Sequence, residues 1–365
     1  MVREPQGAPR RLLGNFFLAD SQHVAKFLYA RPSRCMGWIS DLRHVVNAVR
    51  LQLITPSPLG LNNGNRITSV RWARILRELG HRVKVHQLYD GAPCNLLIAL
   101  HARRSYPSIE KFHQIYPERP LIVVLTGTDL YRDIRSDRNA QRSLEIATRL
   151  VGLQNMALSA LPQSFHRKTR IIYQSAEPFR SKEPKPKGMF QVCVIGHLRK
   201  EKDPLRTAMA VRRLPVESRI QVVHIGVALD SRLEKLVRSE AARNPRYRWL
   251  GVLSHRKTRE TLARSDLVVI SSRMEGSSNV LSEALASSIP VVVSKIPGLM
   301  GTLGKTFPGY FPVGDTRKLT QLLLKSETDL EFYRRLKRQC NRLAYLVKPQ
   351  RERKAWRNLI DELID

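Results

Sequence analysis

The chain of 365 residues is 42% hydrophobic and 26% charged, which suits two globular domains and excludes a wholly disordered polypeptide. No apolar run approaches the roughly 20 residues of a membrane helix, so no membrane span is expected. The formal charge of +32 (63 Lys+Arg against 31 Asp+Glu) attracts polyanions, but the cations are spread along the whole chain, without an RNP, zinc-finger or KH-like signature.

Specific nucleic-acid binding is therefore not expected. Phosphate-bearing ligands explain the charge more easily, and a genome-wide basic bias would give the same count. The cysteines Cys35, Cys94, Cys193 and Cys340 are scattered, lack metal spacing, and read as reduced, mostly buried thiols of a cytoplasmic protein. Residues 1–48 begin Pro/Arg-rich and fit no element pattern. They imitate a transit peptide, but are read as a poorly ordered N-terminal extension, or as the product of a start codon upstream of the true one.

From residue 49 the pattern is regular. Arg50–Ile54 reads as a strand, and Leu59–Arg66, rich in Gly and Asn, as a loop with left-handed residues. Ile67, Val70, Ile75, Leu76 and Leu79 fall at helical spacing, Gly80-His81 ends that helix, and Val83–Val85 opens the next strand. This β–loop–α–β order is the opening of a doubly wound nucleotide-type sheet, although no G-x-G-x-x-G dinucleotide fingerprint is present. Strands Leu96–Leu100 and Pro120–Leu125 lead into His101–Ser105 and Thr126–Tyr131. Ligands collect beyond the carboxyl ends of such strands, so both segments should border a cleft. His101 is the histidine singled out there; one satisfied by a neighbouring carbonyl would look the same. A helix through Ser143–Leu150 and short strands Val151–Leu153 and Arg170–Tyr173 follow. Glu177–Gly188, with its Pro and Lys, is the most linker-like stretch.

The second half restarts with strand Phe190–Ile195, which runs into Gly196–Pro204. Asp203 and Pro204 are helix-start residues, so Arg199 and Lys202 should lie between a strand and a helix N-terminus. That arrangement binds phosphate, but a solvated basic turn has the same sequence. Strands Ile220–Ile225 and Tyr247–Leu250 and helix Lys257–Leu262 follow. The organising stretch comes next: a β-branched strand Leu267–Ile270, the small-residue loop Glu275-Gly276-Ser277-Ser278-Asn279, and a helix Val280–Ala286. Such a junction aims unpaired amides and the positive end of a helix dipole at one point, a ready seat for phosphate. Glu275 is expected at the loop tip, and Glu283 two turns later on the helix. An ordinary strand–turn–helix with two solvated carboxylates would read identically. Strand Pro290–Ser294, a basic helical run Leu330–Leu346 and an amphipathic helix Ala355–Ile360 complete the chain.

The E-x7-E spacing of Glu275 and Glu283, the G-[HR]-L-x-x-x-K string at Gly196–Lys202, the two doubly wound halves and the central linker together resemble a GT-B glycosyltransferase of the GT4-like superfamily. The strings GNRITSVRWARILRELGH (64–81), IALHARRS (98–105), LTGTDLYRD (125–133), GHLRKEKDPLR (196–206), SSRMEGSSNVLSEA (271–284), LGKTFPGYFPVGDT (303–316) and AWRNLIDEL (355–363) look more closely like the selenosugar synthase (SenB) family. The resemblance covers about residues 50–365. It implies an α/β fold of GT-B type, two Rossmann-like domains facing an interdomain cleft. The acceptor domain would span 49–180, a linker 181–188, the nucleotide-sugar domain 189–345, and a C-terminal helix 346–365 would pack back toward the first domain.

It also implies a reaction: a C–Se bond formed between selenophosphate and the sugar of a UDP-sugar such as UDP-N-acetylglucosamine, with release of UDP. The enzyme would serve selenoneine biosynthesis, between a selenophosphate-producing and a selenosugar-using enzyme. Carried over by position, Glu283 binds the ribose hydroxyls, and Gly276, Ser277, Ser278 and Asn279 hold the sugar–diphosphate end. Glu275 lies near the sugar, Lys202 neutralises the diphosphate, and Gly251-Val252-Leu253 pairs with uracil. Gly64 borders the donor. His197 stands where the superfamily usually has Arg, and Arg199 supplies that charge. Asn65, Arg66, Arg103, Arg104 and Thr128 are expected around the anionic acceptor, with His101 and Asp129 orienting groups at the sugar. No D-x-D cluster stands out, so no metal or other cofactor is expected. Two alternatives stay open: a GT-B transferase with a hydroxyl acceptor, and a non-enzymatic basic protein that binds nucleic acid on a degenerate GT-B fold.

Overall fold

A computed structural model describes residues 48–57 and 64–364. The extension expected over 1–48, save its last residue, and the loop residues 59–63 lie outside these.

Two six-stranded, all-parallel sheets form the frame. The first contains β1 (Arg50–Ile54), β2 (Arg82–His86), β3 (Leu96–Leu100), β4 (Leu121–Leu125), β5 (Arg149–Gly152) and β6 (Thr169–Ile171), in the order β2-β1-β3-β4-β5-β6. The second contains β7 (Phe190–Ile195), β8 (Ile220–Ile225), β9 (Tyr247–Trp249), β10 (Leu267–Ile270), β11 (Val291–Ser294) and β12 (Tyr310–Phe311), in the order β12-β11-β10-β7-β8-β9. The order reverses between β1 and β3 in one sheet and between β7 and β10 in the other. Helices leave opposite faces at such switch points, so a crevice opens there at the carboxyl ends of the strands.

Both faces of the first sheet are covered, and alternate residues serve them. Leu51, Leu53, Ile98, Leu100, Ile122 and Val124 pack with Trp72, Ile75 and Leu76 on one side. Ile54, Leu97, Ala99, Val123 and Leu125 pack with Phe112 and Leu144 on the other. Strands buried on both faces read as continuous apolar runs, which made them legible in the sequence. The terminal helix Pro349–Ile364 returns to the first sheet, where Trp356, Leu359 and Ile360 join the first of these cores and Trp356 meets Trp72 edge-on at 4.8 Å between ring centroids.

Several expectations are corrected. The first helix begins at Gly64 and ends at Glu78, so Gly64, Asn65 and Arg66 form its first turn rather than a loop. Val70, expected on its apolar face, is exposed, and Trp72 and Ala73 fill the core instead. The helix expected over Ser143–Leu150 spans Arg138–Ile146, because Asp137 caps its start by accepting from the Ala140 amide at 2.9 Å. Leu150 belongs to β5. Asp203 and Pro204 do not open a helix: Asp203 takes a left-handed φ of 46°, closing a short 3-10 turn Lys200–Lys202, and the helix starts at Arg206. Helices Tyr106–Ile115, Ser231–Arg243, Pro297–Leu303 and Thr316–Thr328 had no expectation attached to them.

Candidate active site

The carboxyl ends of β7 and β10 frame a narrow crevice lined by Gly196, Lys202, His224, Ser271 and Ser272. Lys202 enters from the turn after β7 and Glu275 from the loop after β10, and the two form an ion pair. The Ser272 hydroxyl donates to the same Glu275 Oε1 at 2.6 Å. Glu275 is therefore not a solvated residue at a loop tip. It is 8% exposed, anchored at the switch point by a cation that burial alone would demand. The Ser271 hydroxyl lies 3.1 Å from the carbonyls of Lys202 and Asp203, fixing the basic turn against the same loop.

The signature helix spans Asn279–Ala286, and the Ser278 hydroxyl caps it by accepting from the Leu281 amide at 3.3 Å. Gly276 is buried and Ser277 half-buried beside this helix start. Glu283 projects from the helix toward His255, 3.6 Å away, at the start of helix His255–Ala263. That helix follows directly on Gly251-Val252-Leu253. Gly251 accepts from the Gly226 amide at 2.8 Å, and Gly226 lies so close to Gly196 that a Cβ built on it would meet the Gly196 carbonyl at 2.0 Å. The segments after β7, β8 and β9 thus abut, and Lys202, Gly251–Leu253 and Glu275–Glu283 share one end of the second sheet. His197 accepts from the Val227 amide at 3.3 Å through Nδ1. Arg199 is half-buried at the head of the basic turn, with no partner at its buried Nε among the described residues.

The first sheet meets this end directly. Gly127, with φ 137°, follows β4, and a Cβ there would lie 2.6 Å from the Gly276 amide nitrogen. A Cβ on Gly276 would lie 2.3 Å from the Thr126 carbonyl oxygen. Two glycines therefore let backbone touch backbone where the halves face each other. Gln154 strengthens the contact by donating to the Gly276 carbonyl at 3.2 Å. Asn279 Nδ2 is 3.4 Å from the Gly64 carbonyl, and Arg71 Nη1 donates to Asn279 Oδ1 at 3.0 Å. Asn65 and Arg66 follow Gly64 in the same half-buried first turn.

On the side expected to take the acceptor, the polar side chains are largely held by one another. His101 is 2% exposed and held at a φ of 75°, a conformation that costs on the order of 1–3 kcal/mol and persists only where its surroundings fix it. Its Nδ1 accepts from the Arg104 amide at 3.3 Å, which leaves the proton on Nε2 to serve the Thr128 hydroxyl at 2.9 Å. Burial lowers its pKa, with Arg104 and Arg103 adding to the effect against Asp129 and Asp133, so the ring is neutral near pH 7. His101 therefore presents Thr128 rather than its own nitrogens. Asp129 is fully buried and accepts from the amides of Ala102 (3.0 Å), Thr126 (2.9 Å) and Gly127 (2.8 Å). It ties the loops after β3 and β4 together. Arg104 is exposed, and Arg103 is paired with Asp133 at 2.9 Å.

Three contributors escaped the sequence reading. His224, under the Gly196 loop, donates from Nε2 to the Gly196 carbonyl at 3.1 Å and accepts from Tyr247 at 2.7 Å; burial lowers its pKa to about 4. Arg71 is held at Nε by Glu352 of the terminal helix at 3.1 Å, which also accepts from Trp72 Nε1 at 2.6 Å. Glu352 is the least predictable, since some 280 residues separate it from its partners. Among the described residues, no group of three or more His, Cys, Asp or Glu side chains is placed to hold a metal ion, and no helix is long and apolar enough to cross a membrane.

Residues 175–342 match the family described as glycosyl transferases group 1. No curated protein matches the chain. Among solved structures, it resembles sucrose-phosphate synthase from Thermosynechococcus elongatus (TM-score 0.70, 14% identity, 86% of this chain and 98% of that one). It also resembles Anabaena HepE, solved in complex with UDP-glucose (TM-score 0.65, 16% identity, 86% and 100%). A third likeness is to the pneumococcal O-GlcNAc transferase GtfA, solved in complex with UDP and GlcNAc (TM-score 0.58, 16% identity, 81% and 60%). At these identities the likeness is one of fold. The chain therefore has the GT-B glycosyltransferase fold, and its residues 175–342 match the group 1 glycosyl transferases.

Proposed function

We propose that the protein is a UDP-sugar-dependent glycosyltransferase that transfers the sugar to selenophosphate, forming a C–Se bond and releasing UDP. The observation that carries the donor half is the Lys202–Glu275 pair at the β7/β10 switch point, with the capped start of the signature helix beside it. UDP-bound neighbours of the same fold support a uridine nucleotide there. In this reading Glu283 takes the ribose hydroxyls, Gly251–Leu253 the base, and Lys202, Arg199 and the Gly276–Asn279 amides the diphosphate.

The C1–O bond to UDP breaks with its electron pair passing to the diphosphate, so donors aimed there lower the barrier. Lys202 leaves Glu275 to meet that charge, and Glu275, freed of its cation, faces the positive charge that develops on the sugar ring. A selenium lone pair of selenophosphate closes the C–Se bond. The acceptor is already an anion, so no base need remove a proton, which fits a cleft where His101 is neutral and both its nitrogens are occupied. The selenophosphate assignment rests on the sequence strings, and we place the reaction in the cytoplasm, where the thiols of Cys94, Cys193 and Cys340 stay reduced.

Incubation of the purified protein with selenophosphate and a panel of UDP-sugars, read by mass spectrometry, tests it. A sugar carrying selenium is expected. Transfer only to hydroxyl acceptors would leave the donor half standing and remove the selenium half.

A further inference from the structure

Asp133, which the functional reading above does not use, is 5% exposed and lies between two arginines. Its Oδ1 is 2.9 Å from Arg132 Nε and its Oδ2 is 2.9 Å from Arg103 Nε. Arg132 thus donates its Nε–H to the carboxylate, whereas Arg103 is ion-paired at that distance without a hydrogen bond from its Nε. Among the described residues, no hydrogen bond takes up the Nη groups of either arginine. Their side chains are 39% (Arg103) and 50% (Arg132) exposed, so these forks face solvent. Within this triad one carboxylate faces two guanidiniums, with the Arg132 edge oriented by its hydrogen bond and the Glu201 carboxylate near enough to Arg132 to act on its charge. The position is also informative. Arg132 lies five residues beyond Gly127, whose backbone abuts Gly276 of the donor loop. Asp133 holds Arg132 firmly ionised, and Glu201, from the basic turn of the facing half, contributes to that.

The geometry points to a tetrahedral-oxyanion seat formed by the Nη edges of Arg132 and Arg103 and clipped by Asp133, which takes the phosphate end of the acceptor. It rests on the transferase reading for its role, but not for its existence. A planar fork matches two oxygens of a phosphate, and two forks from one carboxylate hold three or more. The selenium would then project from the held PO3 group toward the donor, and Asp133 acts as a positioning residue.

The test is a 31P NMR titration of the full-length protein with inorganic phosphate, in wild type, Arg132→Ala, Arg132→Lys and Lys337→Ala, with a parallel UDP titration. Lys337 is an exposed cation on the helix Leu330–Leu343. The expected result is phosphate affinity weakened about tenfold or more in Arg132→Ala. Arg132→Lys should be intermediate, and Lys337→Ala and every UDP affinity unchanged. No phosphate binding by wild type, equal affinity in Arg132→Ala, or an equal loss in Lys337→Ala would overturn the seat. Absence of UDP binding beside an intact phosphate response would sink the transferase reading and leave the seat standing.

Discussion

Replacing Glu352 tests whether the terminal helix organises the proposed donor site. Its carboxylate is 2% exposed and accepts from Arg71 Nε, Trp72 Nε1, the Ser175 amide at 3.1 Å and the Ser175 hydroxyl. Arg71 is only 13% exposed, so Glu352→Gln strands a guanidinium without its counter-ion. Breaking a buried pair from one side costs about 3–5 kcal/mol. At about 2 °C per kcal/mol for a body of this size, the thermal midpoint should fall by roughly 6–10 °C. Glu362 provides the contrast. From the same helix it bridges Arg149 of β5 and Arg170 of β6, but at 30% exposure, and Glu362→Gln should cost only about 0–1 kcal/mol. Because Arg71 also holds Asn279, Glu352→Gln should weaken UDP binding as well, where Glu362→Gln does not. Calorimetric scans of the two variants, with UDP titrations at a temperature where both are folded, decide it. Equal midpoints for the two variants, or an unchanged UDP affinity in Glu352→Gln, would refute the link.

Further expectations follow from the site. Gly276→Ala puts a methyl against the Thr126 backbone, the halves must part, and a displacement near 1 Å lowers turnover about 100-fold; wild-type turnover would show the contact is not needed. Lys202→Ala and Glu283→Ala should each weaken UDP binding about 10–100-fold by calorimetry, the former also leaving Glu275 buried without its cation. His224 carries a depressed pKa, near 4 against 6.5, so only the unfolded chain takes up its proton as pH falls through that window. Stability from this residue is complete above about pH 6.5 and declines by about 1.4 kcal/mol per pH unit toward pH 4. In His224→Asn the proton uptake on unfolding, measured by pH-dependent denaturation, should drop by about one.

The frame was legible because its signals are local. Buried parallel strands such as Leu96–Leu100 and Leu267–Ile270 are continuous apolar runs, and the Glu275–Asn279 loop carries its own capping residue in Ser278. Helix starts were harder. Asp137, Asp230 and Asp315 each cap a helix by side-chain hydrogen bonds, yet the helices they open carry long polar faces, and two of the three had no expectation at all. The polar chemistry of the site was partly hidden for a different reason. Sequence places Arg103, His101 and Asp129 on loops beside a cleft but says nothing of what each side chain meets. Packing turned Asp129 into a staple between loops, gave Arg103 a partner, and set His101 to present Thr128. The Arg71–Glu352 pair joins residues too far apart in sequence for any spacing argument to link them.

The central claim is that UDP departure is driven by a selenium nucleophile seated opposite Lys202. It is tested most directly by following UDP release from a UDP-sugar alongside the selenium-containing sugar. The account predicts one such sugar per UDP released, no release without selenophosphate, and loss of both in Lys202→Ala. UDP release that proceeds equally with a hydroxyl acceptor, or without any selenium in the product, would contradict it.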